Sequence, residues 1–487
     1  MPEQKGFLII DIGTGNVRVA VTDQAGNVLH IERGNVLYVK DGLYPDALYF
    51  DPNGLWNQII ALATAALKQV PGISIQAITA SSQREGIVLI DAAGKSLIGL
   101  SNHDNRGREW EDMVKDKTLV YNLTGRYPTA LFSVLKVVGI RKRRPAIYNQ
   151  LNRILSISDW AQFQLSGVEG YEHSQASETL LYDVAEKKWS EQLCDIFEID
   201  GAILPPLQQS GSILGKILPQ YAEQLNLSPG TLIIVGGADT QLAIKSTQPA
   251  VNDIVIVSGT TTPIAKIVSE YVTDEKQRTW TNRHIDADSF ILEANAGVTG
   301  LNYQRLKDIF YPNEGYDIIE KELAEHSTCQ CVASLGSMVA EEKSSSAKGG
   351  FIFDVPVSHE LTRAGFVRAT LWDIACSIKE NFETLCAVAD HAPDFVWACG
   401  GGFQSKMLLQ FIANLTNKKV LVRDGFQQAS VVGGALVCAG ALGIRSEAEI
   451  APVKEILPKS NRIDITLYKE WKKVRNSFKQ PVMEEVI

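Results

Sequence analysis

Four carboxylates and one guanidinium stand out in the 487-residue chain, because each follows an apolar run and arrives with hydroxyls or glycines beside it. Asp11 ends the run from Phe7 and precedes Gly13-Thr14-Gly15. Arg84 and Glu85 follow the run Ile73 to Ala80, Asp104 lies in SNHDNR at 101–106, and Asp239 follows Gly236-Gly237-Ala238. A carboxylate at a tight glycine turn suits a hydrated Mg2+, and the turn's backbone amides with the Thr14 hydroxyl suit an anion. Arg next to Glu offers a fork of donors and a pair of acceptors for neighbouring hydroxyls of a polyol, although a surface salt bridge uses the same two residues. Asp104 is a second candidate for hydroxyl recognition. Asp239 suits a general base for a substrate hydroxyl; its plainer alternative is a helix cap, since Thr240 onward reads helical. Asp159, before another helical stretch, has the same plain alternative.

The elements that must position these groups are legible in outline. Phe7 to Val21 reads as strand, turn, strand, with Val17, Val19 and Val21 alternating after the glycines. A dinucleotide fingerprint would need a third glycine where Arg18 stands and a helix after it, so that loop is excluded. Taken alone, the stretch is also what an ordinary hairpin turn looks like. The pattern recurs at 253–268, where a strand meets Ser258-Gly259-Thr260-Thr261 and leaves as Ile264, Lys266, Val268. Two such hairpins imply two similar halves, and paired hydroxyl-bearing turns facing across a cleft would clamp a triphosphate from both sides. A helix opening at Pro52 and Asn53 and a strand at 73–80 connect the first hairpin to Arg84-Glu85. The strand 231–235 ends in two glycines that leave room for a ligand at the backbone. Gly400-Gly401-Gly402 follows the strand 394–398 and precedes a helix 407–415; these glycines admit a flat base or serve a tight connection. The Gly- and Ala-rich helix 429–442 must pack closely on something, and 341–350 reads as a flexible loop. Gly94-Lys95-Ser96 is no P-loop, because Leu89 stands where a glycine is required.

Composition narrows the classes. An apolar content of 45% over this length supports two or three domains with sizeable cores. The formal net charge of −9 argues against nucleic acid or an anionic membrane as the main partner, and Arg141 to Arg144 reads as a solvated helix end. No apolar run approaches a membrane span and the N-terminus lacks a signal-peptide core, which points to the cytoplasm. The seven cysteines fit a reduced compartment. Cys329 and Cys331 near His326 lack a second ligand pair at zinc spacing, and no Ser or Cys nucleophile stands in a hydrolase motif. A homodimer stays open.

In chain order DIGTGNVR, SQREG, NHDNR, GGADTQ, SGTTT, GVTGLNYQ, CGGGFQSK and QASVVGGA resemble the motifs of the FGGY family of carbohydrate kinases over about residues 6–445. The resemblance implies an α/β fold of two actin-like ATPase (ribonuclease H-like) domains, 1–245 and 246–487, with the active site in the cleft between them. It implies ATP and Mg2+ as cofactors and a small sugar or polyol as substrate. By motif, Asp239 corresponds to the catalytic base, and Asp11 with Asp239 to the carboxylates near Mg2+. Gly13, Thr14, Gly15, Arg18, Gly259, Thr260 and Thr261 correspond to the phosphate-binding turns, and Gly300, Gln304, Gly400, Gly401 and Ser405 to nucleotide contacts. Arg84, Glu85 and Asp104 correspond to the acceptor-gripping residues. SQREGIVLIDAAGK, ISDW and GGADTQLA are most similar to the branch that phosphorylates autoinducer-2, a linear dihydroxy-pentanedione; a pentulose or tetritol is the alternative acceptor. Leu131 replaces a tyrosine of glycerol-specific members, Gly139 a tryptophan and Gln428 a glutamate. From another class, a non-catalytic nucleotide sensor of the same fold would need no hydroxyl-reading pocket.

Overall fold

Alternating apolar residues on either side of Gly13-Thr14-Gly15 form β1 (Gln4–Ile12) and β2 (Asn16–Asp23), paired antiparallel with Ile9 opposite Ala20, and β3 (Val28–Asn35) extends the meander. The computed structural model describes residues 4–286, 288–325, 330–340, 348–444, 452–459 and 462–479. Helix α1 (Pro52–Gln69) starts where Asp51 accepts from the Asn53 and Gly54 amides and Pro52 presets the first turn. It carries the chain to β4 (Ile73–Ser82), which lies parallel to β1 and so brings Arg84 beside the first hairpin. After α2 (Lys117–Thr124) and α3 (Ile157–Ser166), β5 (Ile213–Lys216) and β6 (Leu232–Ala238) complete a six-stranded sheet in the order β5-β6-β4-β1-β2-β3. Asp159 does not cap α3. Ser156 does, accepting from the Asp159 amide (3.1 Å) while its own hydroxyl donates to the Asp159 carboxylate (2.6 Å).

Helix α4 (Asp239–Thr247) leads into the second half, where β7 (Ile254–Val257) and β8 (Thr261–Val268) make the second hairpin. With β9 (Trp280–Arg283), β10 (Phe290–Val298), β11 (Phe395–Cys399), β12 (Lys419–Arg423) and β13 (Val453–Ile456) they form a seven-stranded sheet ordered β9-β10-β8-β7-β11-β12-β13. In each sheet the first hairpin strand is antiparallel to its partner on one side and parallel to a later strand on the other, β4 for β1 and β11 for β7. The repeat is therefore one of topology, not only of a turn motif. Helices α5 (Gly300–Phe310), α6 (Arg363–Val388) and α7 (Lys406–Thr416) pack on the second sheet, α8 (Ala429–Ala441) lies against α4 and the first sheet, and α9 (Arg462–Lys479) packs on α6.

Small residues in α8 let it pack closely on α4 and the first sheet. A Cβ on Gly433 would sit 1.8 Å from the Leu242 carbonyl oxygen of α4, and one on Gly434 2.9 Å from Ile9 of β1. Gly433→Ala is expected to destabilise the protein by about 1–3 kcal/mol, because backbone, unlike a side chain, cannot yield. Gly440→Ala, where a Cβ meets nothing within 4 Å, is the control and is expected to be neutral or mildly stabilising. Urea unfolding of the two variants checks both.

The expectations for Gly236 and Gly237 are corrected. Strand β6 runs through Gly236 and Gly237 to Ala238, because a Cβ on Gly236 would lie 1.9 Å from the Ala80 carbonyl oxygen of β4. One on Gly237 would meet Glu172, Ser174 and Ile285. Both glycines serve packing, not ligand approach. Gly400 (φ +103°) presses on Ser258, with a Cβ 2.4 Å from its carbonyl oxygen, and a 3-10 turn at Gly401–Gln404 intervenes before α7. The glycine cluster is thus a tight connection over most of its length. Of the expected loop 341–350, residues 341–347 lie outside the described residues and Gly350 opens a short strand paired to Val332–Ser334. His326 and Cys329 also lie outside them; Cys331 is buried. Among the described residues no helix is long and apolar enough to cross a membrane.

Candidate active site

The two hairpins face each other across a cavity of about 890 Å3. From the first half it is lined by Asp11, Gly13, Thr14, Gly15, Arg18, Arg84 and Glu85, and from α4 by Asp239. From the second half come Gly259, Thr260, Thr261, Gly300, Gln304, Gly400 and Gly401. Two expected residues are not brought there. Asp104 is fully buried, its carboxylate occupied by the Arg106 guanidinium (2.8 Å) and the Leu48 amide (3.0 Å), so it has no acceptor left for a ligand; its neighbours Asn102 and His103 line the cavity instead. Ser405 is buried as the N-cap of α7, accepting from the Leu408 amide.

Asp239 owes its place to a chain of hydrogen bonds behind it. The Ala238 amide donates to Ser174 Oγ (3.1 Å), which donates to Glu172 (2.5 Å), and the Glu172 amide donates to Asp159 (3.2 Å). Burial, and next the charge of Asp11, push the Asp239 carboxyl up to about 6. Near neutrality it is therefore ionised yet more basic than a free carboxylate, which suits proton abstraction from an alcohol. Asp11 accepts from Ser81 Oγ (2.6 Å), Ser430 Oγ (2.9 Å) and Arg18, and Arg18 reaches Gln428 Oε1 and Ser430 Oγ, both at 3.0 Å. This group ties β1 and β2 to the start of α8. Two carboxylates, Asp11 near enough to raise Asp239, with hydroxyls around them, fit a dication held largely through water.

The hairpin tips are held from below. The Gly13 amide donates to Asn16 O and the Gly259 amide to Thr261 O, both 2.9 Å, so these two amides close their own turns. Thr14 exchanges hydrogen bonds with the Asn102 side chain, and a Cβ on Gly300 would lie 2.0 Å from the Gly259 carbonyl oxygen, so α5 begins against the second tip. Gly15 has open space around it.

Arg84 binds across the cleft. Its guanidinium makes a two-pronged contact with Glu293 of β10 (2.6 and 3.0 Å), with Glu178 at 3.7 Å. Arg126 pairs with Glu178 and stacks on Trp280 at 4.8 Å, and Lys136 donates to the Glu85 carbonyl (3.1 Å). Arg84, Arg126 and Lys136 thus lie buried among Glu293, Glu178 and Glu85, since buried charge needs opposite charge or hydrogen bonds beside it. Glu85 adopts φ +59°, unusual outside glycine, and its carboxyl is pushed up to about 8, by burial first and then by Glu178. The upward shift favours the protonated form, which offers a donor beside its acceptor. Glu293, Glu178, Arg126 and Lys136 carry no motif. Only Glu293 leaves a signal, a lone charge inside the apolar run from Phe290.

Residues 7–245 match the N-terminal domain of the FGGY family of carbohydrate kinases, and residues 339–442 its C-terminal domain. The chain is 50% identical over 98% of both lengths to YoaC of Bacillus subtilis (strain 168), a protein named only provisionally as a sugar kinase. It is 26% identical to the autoinducer-2 kinase of Photorhabdus laumondii, covering 91% of this chain and 87% of that one. Among solved structures, glycerol kinase of Plasmodium falciparum with ADP superposes with a TM-score of 0.84 at 19% identity, covering 98% of this chain and 99% of that one. Xylulose kinase of Lactobacillus acidophilus gives 0.83 at 18%, covering 97% and 98%. Both share the two-domain, actin-like arrangement.

Proposed function

Because the chain belongs to the FGGY family of carbohydrate kinases, phosphotransferases with an alcohol group as acceptor, we propose that it moves the γ-phosphoryl group of ATP onto a hydroxyl of autoinducer-2 in its open, dihydroxy-pentanedione form. The observation that carries the reading is the convergence in one cavity of Asp239, the Arg84-Glu85 pair and both hairpin tips. A sensor of nucleotide alone has no use for that pair.

In this reading Arg84, oriented by Glu293, donates to adjacent oxygens of the acceptor, and Glu85 donates to one and accepts from another. Asp239 takes the proton of the reacting hydroxyl while the tips at 14–15 and 260–261 hold the phosphoryl group in line. When bound, Mg2+ offsets charge on the phosphate oxygens; Asp11 and Asp239 would hold its water shell. Leu131 and Trp280 make one wall apolar, which suits a chain with few hydroxyls. The similarity of SQREGIVLIDAAGK and the relative at 26% identity support the same acceptor. Dependence on ATP supports a cytoplasmic site of action.

A substrate panel with coupled ADP detection tests this. Dihydroxy-pentanedione is expected to exceed xylulose, ribulose and erythritol in kcat/KM. Faster turnover of a pentulose or tetritol at matched concentrations would overturn the acceptor and leave the kinase reading standing; ATP binding without turnover of any acceptor would favour the sensor.

A further inference from the structure

One wall of the cavity is held by a helix beyond the matched domains. Gly336, Met338, Val339 and Ala340 line the cleft next to Gly300 and Gln304. Their backbone is neither helix nor strand, so its polar groups need partners from elsewhere. The Met338 amide donates to Ala296 O (2.8 Å), and its carbonyl accepts from Asn381 Nδ2 (2.9 Å) and Ser377 Oγ of α6. Its side chain fills the space over Gly297, where a Cβ would lie 2.7 Å from Met338 Cγ.

The other anchor is Ser337, and it reaches α9. Ser337 Oγ donates to Asp373 Oδ1 (3.1 Å) and accepts from Arg475 Nη1 (3.0 Å), while its carbonyl accepts from Arg475 Nη2 (2.5 Å). Asp373, buried on α6, also accepts from Trp471 Nε1 (2.7 Å) and the Leu335 amide (3.2 Å). Trp471 and Arg475 are one turn apart on α9, both buried, with the guanidinium 5.4 Å from the indole ring. The family match ends at residue 442, twenty residues before α9 begins at Arg462.

We propose that α9 is a positioning element of the nucleotide site, in which Trp471 and Arg475, acting through Asp373 and Ser337, fix the 336–340 wall against which the nucleotide lies. This rests on the kinase reading, with the second half of the cleft as the nucleotide side. A site held through charged, buried hydrogen bonds keeps its wall within a fraction of an ångström. Without them the wall relaxes and nucleotide contacts lengthen.

The test is calorimetric binding of ATP and ADP with steady-state kinetics for Arg475→Met and Trp471→Phe; the latter keeps an aromatic ring while removing the N–H donor and part of the indole's packing. Nucleotide affinity is expected to fall about tenfold or more in Arg475→Met and about threefold or more in Trp471→Phe. The acceptor KM at saturating ATP should stay within about twofold. Ser337→Ala added to Arg475→Met should cost less than the two single changes summed. Unchanged nucleotide affinity in folded Arg475→Met overturns the proposal. So does a loss shared equally by nucleotide and acceptor, which is what a merely stabilising helix would give. If Arg475→Met does not fold, Trp471→Phe decides by the same criteria. Absence of ATP binding in the unaltered protein would overturn the kinase reading, and this proposal with it.

Discussion

Asp239→Asn is expected to lower kcat by about two to four decades while ATP still binds. The amide keeps the size of the side chain and can still accept from the Thr240 N–H, which lies 2.6 Å from Asp239 Oδ1, so the start of α4 should hold. What it cannot do is take a proton. A pH profile separates this from a positional effect. The folded-state pKa is raised to about 6, and the competent form is the ionised one. Activity of the unaltered enzyme should therefore be full above that value and fall about tenfold per unit as pH drops below it. The residual activity of Asp239→Asn should lack that limb. Near-normal turnover in the variant, or an acid limb that persists in it, would remove Asp239 from the role of base.

The parts of the site that are legible in sequence are those whose cause is local. A glycine turn between alternating strands specifies a hairpin from neighbouring residues alone, and its recurrence implies two similar halves, which the matching strand order of the two sheets bears out. Asp11, Arg84, Glu85 and Asp239 can be placed because each sits at the end of a strand, where chain direction delivers it to the cleft. Sequence misleads where the deciding partner is distant. Gly236 looks like ligand clearance until β4 is laid beside it. Glu293 pairs with a residue 209 positions away, and no spacing rule reaches that far. Two misplacements are correctable from the chain itself. Asp104 has Arg106 two residues on, and the fork folds back on it. Ser405 stands immediately before a helical run, where a hydroxyl is claimed by the backbone.

Arg84→Ala should lower kcat/KM for the acceptor about a hundredfold or more, since a site built to hydrogen-bond hydroxyls loses strongly when the donor is missing. The structure adds a complication the sequence could not supply. Removing the guanidinium leaves Glu293 buried without its partner, and breaking such a pair costs about 3–5 kcal/mol of stability. A loss of activity in Arg84→Ala alone could then reflect unfolding. Two companions separate the causes. Arg84→Lys keeps the charge that Glu293 requires but replaces the planar fork by a point donor, so it should fold and still lose much of the acceptor specificity. Arg84→Ala combined with Glu293→Gln removes both charges. It should recover part of the stability and none of the acceptor affinity. ATP affinity should stay near that of the unaltered protein in all three, because the Arg84 guanidinium spends its hydrogen bonds on Glu293 and not on either hairpin tip. If Arg84→Lys keeps full kcat/KM, the fork is not read by substrate. Arg84 would then be a tie between the two halves, whose partner Glu293 already satisfies it.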